Sequence, residues 1–230
     1  KNKKVAVDFL DRLVNKAKEY PDHLALKFKE TTLTYKELLA AADTLASRLK
    51  PLIEASNISE PLFGICLPRG CEMIIALVGI LRSGAGYVPI DPTNPRDRID
   101  YILNDAKPVG VIIDETTISN VEAVVNINKV RMPEEENWRK IINKPIANTL
   151  SRSEAIAYII YTSGTTGQPK GVVIERGNLA AFISATEEIA GWEPGQRWQQ
   201  FASINFDASI LEISSALARG SSLVIAPSEI

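Results

Sequence analysis

From Thr34 onward the chain alternates two apolar patterns, one with helical spacing and one of short apolar runs. In LTYKELLAAADTLASRL, the residues Tyr35, Leu38, Leu39, Ala42, Leu45, Ala46 and Leu49 recur every three or four positions, and Thr34 with Glu37 forms a capping box at the start. PLFGICLP reads as a buried strand. CEMIIALVGILRSG is apolar on nearly every side, which predicts a helix inside the protein, closed by Gly84. GYVPID predicts another strand. Asn94 is then placed to cap, and Pro95 to open, a helix that carries Ile99, Ile102, Leu103 and Ala106 on one face and is stopped by Pro108. VGVIID follows as a strand. Residues Glu115 to Leu150 are polar with weak periodicity; they hold one short apolar piece near Val124 and predict no clear helix. The remainder reads as strands AIAYIIYT and KGVVIE, helix NLAAFISATEEIAG, strand RWQQFAS, helix DASILEISSALARG and strand SSLVIA.

This alternation predicts an α/β fold of layered, largely parallel β-sheets covered by helices. No internal repeat or low-complexity linker divides it, so the 230 residues read as one unit.

Composition excludes several classes of function. Near-equal acidic and basic residues give a formal charge of -2 and no basic field for nucleic acid, and the cluster from Lys1 to Lys4 reads as a solvated terminus. Cys66 and Cys71 have no second pair, and His23 lies far off at a turn before a strand, so no structural zinc site assembles; the thiols read as reduced and buried. The apolar run from Met73 to Leu81 is too short to span a bilayer, and the polar start is no secretory signal. A cytoplasmic protein without a membrane partner is the expectation. Trp138, Trp192 and Trp198 read as packing or surface aromatics, and Glu134 to Glu136 as a solvated run.

One loop carries candidate chemistry. YTSGTTGQPKG leaves the carboxyl end of the strand Ala155 to Thr162, where open α/β sheets place their ligand crevices. Gly164 and Gly167 permit close backbone approach to an anion, Thr162, Ser163, Thr165 and Thr166 offer hydroxyl donors, and Lys170 brings a positive charge. These suit a polyphosphate cradle. Turn chemistry in a plain hairpin also accounts for the glycines and Pro169. The spacing is neither that of a Walker loop, since no Ser or Thr follows the lysine, nor that of the dinucleotide fingerprint.

The loop resembles the signature of the adenylate-forming enzymes, which include acyl-CoA synthetases, luciferases and peptide-synthetase adenylation domains. The stretches LTYKELLAAADTLASRL, GAGYVPIDPTNPRDRIDYILNDAKP and FASINFDASILEISSALARGSSLVIAP resemble the amino-acid adenylation domains of non-ribosomal peptide synthetases in the same order. The resemblance implies the N-terminal part of the large subdomain of such a domain, with ATP and Mg2+ as cofactors and the magnesium ligand outside this segment. It implies an amino acid activated as its adenylate with release of pyrophosphate, then passed to the phosphopantetheine thiol of a carrier protein. Residues Thr162 to Lys170 would hold the triphosphate in a loop that is mobile when empty and closes over the phosphates.

In FDASILE, a helix beginning at Asp207 places Leu211 about 40° and Ala208 about 100° from it, so the three can line one pocket. The resemblance implies that Asp207 receives the substrate's α-amino group, with Ala208 and Leu211 shaping an apolar side-chain pocket. Asp207 is also suited to capping the helix. Ser209 and Glu212 read as helix-surface residues or residues one layer behind the pocket, and Tyr87 and Phe206 as neighbours of it without a role. Where the family carries a histidine, this chain has Arg176.

The resemblance covers the first half of an adenylation domain, ahead of an aromatic-Gly-Pro-Thr-Glu segment, a ribose-binding aspartate and a catalytic lysine in a small carboxyl-terminal domain. No catalytic residue is therefore expected in this segment, which alone should bind nucleotide poorly and catalyse nothing. The alternatives are a D-alanine carrier-protein ligase or acyl-CoA synthetase, and a non-catalytic remnant of the fold.

Overall fold

The computed structural model describes residues 6–122, 127–132, 152–163, 168–190 and 195–227. The chain opens with α1 (Phe9–Glu19), capped by Asp8, whose Oδ1 accepts from Leu10 N at 2.8 Å. The hairpin of β1 (Leu24–Phe28) and β2 (Thr31–Thr34) leads directly into α2 (Tyr35–Ser56). The predicted capping box is present: Thr34 Oγ1 accepts from Glu37 N at 3.2 Å, and Glu37 Oε2 accepts from Thr34 N at 2.7 Å. Next come β3 (Leu62–Ile65), α3 (Cys71–Ser83) and β4 (Gly86–Pro89). Gly84 ends α3 in the left-handed region at φ 96°, as predicted.

α4 (Arg96–Ala106) begins one residue later than predicted. Pro95 itself occupies the cap position, with no side-chain cap bond, and Asn94 does not serve. At the other end Lys107 caps the helix in the left-handed region at φ 45°, its N–H donating to Leu103 O, and Pro108 follows where the helix cannot continue. β5 (Gly110–Ile113), the one-turn α5 (Ile118–Val121) and β6 (Asn128–Arg131) follow. The rest is β7 (Ile156–Ser163), β8 (Pro169–Glu175), α6 (Arg176–Ala190), β9 (Arg197–Gln200), α7 (Ala208–Leu217) and β10 (Ser222–Ile225). The strand RWQQFAS is thus shorter than predicted, its last three residues leaving the sheet.

Two sheets form. The larger runs β6-β5-β3-β4-β7-β8, parallel throughout except for the antiparallel edge strand β8; the smaller runs β2-β1-β10-β9, with only β2 antiparallel. Strand alternation divides the packing. Ile112, Phe63 and Tyr158 of the larger sheet share a core with Leu26 and Leu223 of the smaller one and with α1, α2, α3, α6 and α7. Val111, Ile113 and Tyr161 face the other way, onto Ile99, Ile102 and Leu103 of α4. α3 is buried almost around its whole circumference, as its unbroken apolar sequence predicts. Among the described residues no helix is long and apolar enough to cross a membrane.

Candidate functional site

The β7–β8 hairpin and the start of α7 meet at one cavity of about 960 Å³. β7 supplies its floor. Its alternate residues Tyr158 and Ile160 face into the cavity together with Val172 and Ile174, their partners on β8. α6 adds Leu179 and Phe182, and α7 adds Ile210 and Leu211, so this lobe is apolar. Tyr161, on the opposite face of β7, borders the lobe under α4 with Ile102 and the half-buried cation Arg98. Thr162 and Ser163, at the strand's carboxyl end, join the two lobes near Asp91 and Asn94.

The strand end is held in place. The Tyr161 hydroxyl donates to Asp105 Oδ2 at 2.6 Å, and its ring lies over Gly171, the residue paired with it on β8. A Cβ on Gly171 would come within 2.9 Å of Ile159 Cγ2 and 3.2 Å of the Tyr161 ring, so the glycine makes room for the aromatic. Burial, then the bond to Asp105, pushes the Tyr161 hydroxyl well above its ordinary pKa, which keeps it a donor.

Two of the predicted loop residues, Thr162 and Ser163, line the cavity and are exposed. Lys170 lies opposite Thr162 in the hairpin register, exposed and outside the lining. Gly164, Thr165, Thr166 and Gly167 fall outside the described residues. β7 and β8 pair as a hairpin, as turn chemistry suggested, yet Thr162 and Ser163 stand at the carboxyl end of a strand parallel to β4, where a ligand site belongs.

Asp207, Ala208 and Leu211 all border the cavity, as their spacing predicts. Asp207 occupies the cap position of α7 but has helical angles, φ -59° and ψ -27°, and makes no side-chain cap bond. Capping therefore does not account for it, and its exposed carboxylate is open to the cavity. Burial and then the Asp207 charge push the Tyr158 hydroxyl up to about 12, so across from the carboxylate stands a neutral phenol.

Other expectations need correction. Phe206 borders the cavity, whereas Tyr87 is 1% exposed and lies outside the lining, its ring tilted by 32° against that of Tyr158 at 5.5 Å between centroids. Of the two readings of Ser209, burial favours the one behind the surface: it is fully buried and donates to Phe206 O at 2.7 Å. Arg176 does not reach the cavity lining; it is buried against the end of α3. Trp198 packs against the core, while Trp138, Trp192 and Glu134 to Glu136 lie outside the described residues. Sequence reasoning missed Arg98, Phe182 and Asn205, which come from three separate elements and carry no local signal. Among the described residues no group of three or more His, Cys, Asp or Glu side chains is placed to hold a metal ion.

Known proteins resemble this chain along almost all of it. Bacitracin synthase 3 of Bacillus licheniformis is 38% identical over 214 residues, which is 93% of this chain and 3% of that protein. Tyrocidine synthase 1 of Brevibacillus parabrevis is 36% identical over 211 residues, 91% of this chain and 19% of that protein. Among solved structures, the nonribosomal peptide synthetase FmoA3 in its AMPPNP-bound form superposes with a TM-score of 0.85 at 26% identity, over 98% of this chain and 23% of that one. The N-terminal subdomain of Klebsiella oxytoca NpsA gives 0.81 at 25% identity, over 99% of this chain and 57% of that one. The chain thus spans a small part of the curated relatives it matches. A family model described as AMP-binding enzyme matches residues 13–230. With a match over this much of its length, the chain belongs to the AMP-binding enzyme family.

Proposed function

We propose that the chain, residues 1–230, is the N-terminal core part of an adenylation domain that activates an amino acid with an apolar side chain for transfer to a carrier-protein phosphopantetheine thiol. The observation that carries this reading is the single cavity that joins Thr162 and Ser163 to an Asp207 freed from capping. The carboxylate of Asp207 pairs with the substrate ammonium, and the exposed rim lets it do so without the full cost of desolvating both charges. Ala208, Leu211 and Phe182 enclose the side chain.

ATP supplies the electrophilic α-phosphorus, and one substrate carboxylate oxygen bonds to it as the bridge to the departing pyrophosphate breaks. The hydroxyls of Thr162 and Ser163 and the backbone from Gly164 to Gly167, with Thr165, Thr166 and Lys170, orient that leaving group and offset its charge. Asp207 and the loop thereby fix the two reactants from opposite ends of one cavity. Magnesium takes its ligands from outside this segment.

The test is amino-acid-dependent exchange of pyrophosphate into ATP by the complete enzyme that carries this chain. Exchange with one apolar amino acid, weakened at least tenfold in Asp207→Asn through KM, is the expected result. Exchange with D-alanine or fatty acids alone moves the chain to another branch of the family. No exchange with any carboxylic acid leaves it a non-catalytic remnant and overturns the reading.

A further inference from the structure

We propose that Glu212 and Arg69 are positioning residues for the amino-acid pocket, together fixing the arch from Gln200 to Asp207 that presents Phe206 and Asp207 to the cavity. The proposal rests on the reading of Asp207 given above.

The arch leaves β9 at Gln200 and enters α7 at Ala208. A seven-residue connection carrying three cavity residues, Asn205, Phe206 and Asp207, needs its backbone groups satisfied, or it will sample several shapes. Glu212 satisfies the donors. Its Oε2 accepts from Phe201 N and Ala202 N, both at 3.1 Å, and from Gln200 Nε2 at 3.4 Å, while Oε1 accepts from Ala202 N at 3.3 Å. Arg69 satisfies the acceptors. Its Nη1 donates to Gln200 O at 3.1 Å and to Gln200 Oε1 at 2.9 Å, and its Nη2 donates to Phe201 O at 2.8 Å. Gln200, fully buried between them, completes the net by donating to Ala202 O.

Geometry makes this net specific to the pocket. Glu212 lies five residues after Asp207, about 140° around α7, so while Asp207 and Leu211 face the cavity Glu212 faces back to the strand end. One helix therefore holds the foot of the arch with one carboxylate and offers the substrate another. Arg69 comes from the connection after β3, which belongs to the larger sheet, whereas β9 belongs to the smaller. Its fork ties the arch to the sheet that carries Thr162 and Ser163. The distance between the ammonium site and the phosphate end of the cavity is thus set by Arg69, Gln200 and Glu212. Beyond Ala202 the arch is closed by its own turn, with Phe206 N donating to Ser203 O at 3.0 Å.

The experiment uses the complete enzyme and compares an amino acid with the same acid lacking its α-amino group. Glu212→Ala should raise the amino-acid KM at least tenfold and erase most of the preference for the amine, while the ATP KM stays within about twofold. Glu212→Gln keeps an acceptor oxygen and should recover most of the loss. Arg69→Ala should shift the same two quantities in the same direction, and it serves where Glu212→Ala does not fold. If Asp207→Asn erases the amine preference but Glu212→Ala or Arg69→Ala retains the wild-type preference and KM, the positioning role is overturned and the function stands. If either variant depresses the amino-acid and ATP parameters alike, the net is only structural and the proposal is likewise overturned. If Asp207→Asn itself leaves the preference intact, the reading of the pocket falls, and the positioning role with it.

Discussion

Nη2 of Arg176 donates to the carbonyl of Leu81 at 2.6 Å, and so the first residue of α6 closes the last turn of α3. The same nitrogen reaches Ala85 O at 3.3 Å. A cation at a helix carboxyl end meets both the orphan carbonyls and the negative end of the macrodipole. The position where the family resemblance implies histidine is here a buried rivet.

Arg176→Met should leave Leu81 O with the Gly84 N–H at 3.2 Å but without its charged donor, and cost about 1.5 to 3 kcal/mol, the range for losing hydrogen bonds to a charged group. Thermal denaturation should show a fall of roughly 3 to 12 °C for a chain of this size. Because Arg176 lies outside the cavity lining, the amino-acid KM of the complete enzyme should stay within about twofold.

At Gly79 two effects compete. Alanine in a helix interior ordinarily stabilises by about 1 kcal/mol relative to glycine. A Cβ here, however, would stand 2.9 Å from Leu45 Cδ2 and 3.0 Å from Ala42 O, where α2 packs on α3. The backbone oxygen cannot yield without moving α2. Overpacking of about 1 to 3 kcal/mol should win, and Gly79→Ala should lower the denaturant midpoint.

Thr34→Ala removes one half of a complete capping box and should cost about 1 kcal/mol in chemical denaturation. Thr34→Ser keeps the hydroxyl and should cost little.

Stability should also fall in alkali. Burial, with the Asp114 and Asp91 charges after it, pushes the Cys66 thiol up from 9.0 to about 12. The folded state therefore keeps a proton that the unfolded state releases. Stability from this group is full below pH 9.0 and is lost as pH rises toward about 12, with a slope of at most about 1.4 kcal/mol per pH unit. Tyr158, raised from 10.0 to about 12, adds a second slope of the same sign above pH 10.0. Denaturation at a series of pH values should show both, and Cys66→Ala should remove the part that begins near pH 9.0.

The contrast between Glu37 and Glu212 shows what the sequence made legible. Glu37 acts three residues from its partner, a distance at which spacing alone identifies the cap. Glu212 acts on amides ten and eleven residues away, and Arg69 on carbonyls more than a hundred residues away, so neither partner can be read from local pattern. The same holds for the cavity: Asp207, Ala208 and Leu211 share a helix and were placed by its period, whereas Arg98 joins them only through the fold.

Some misses had a readable signal. Asp8 followed by Phe9, Leu10, Leu13 and Ala17 is a capped amphipathic pattern, and α1 buries those four residues. By contrast β6, Asn-Lys-Val-Arg, buries only Val130 at the sheet edge, and so shows no alternation to find. Asn94 failed as a cap because Pro95, with φ -53° and ψ 143°, itself takes the turn into α4.

The smaller sheet sets β10 between β1 and β9, so that Leu26 pairs with Leu223, nearly two hundred residues later. A ribosome adding roughly 5 to 20 residues per second would keep β1 waiting for about 10 to 40 seconds before that neighbour exists. During synthesis the β1–β2 hairpin is an open template for the wrong partner, and a chaperone that shields this hairpin as it emerges should raise the yield of native protein more than one recruited after release.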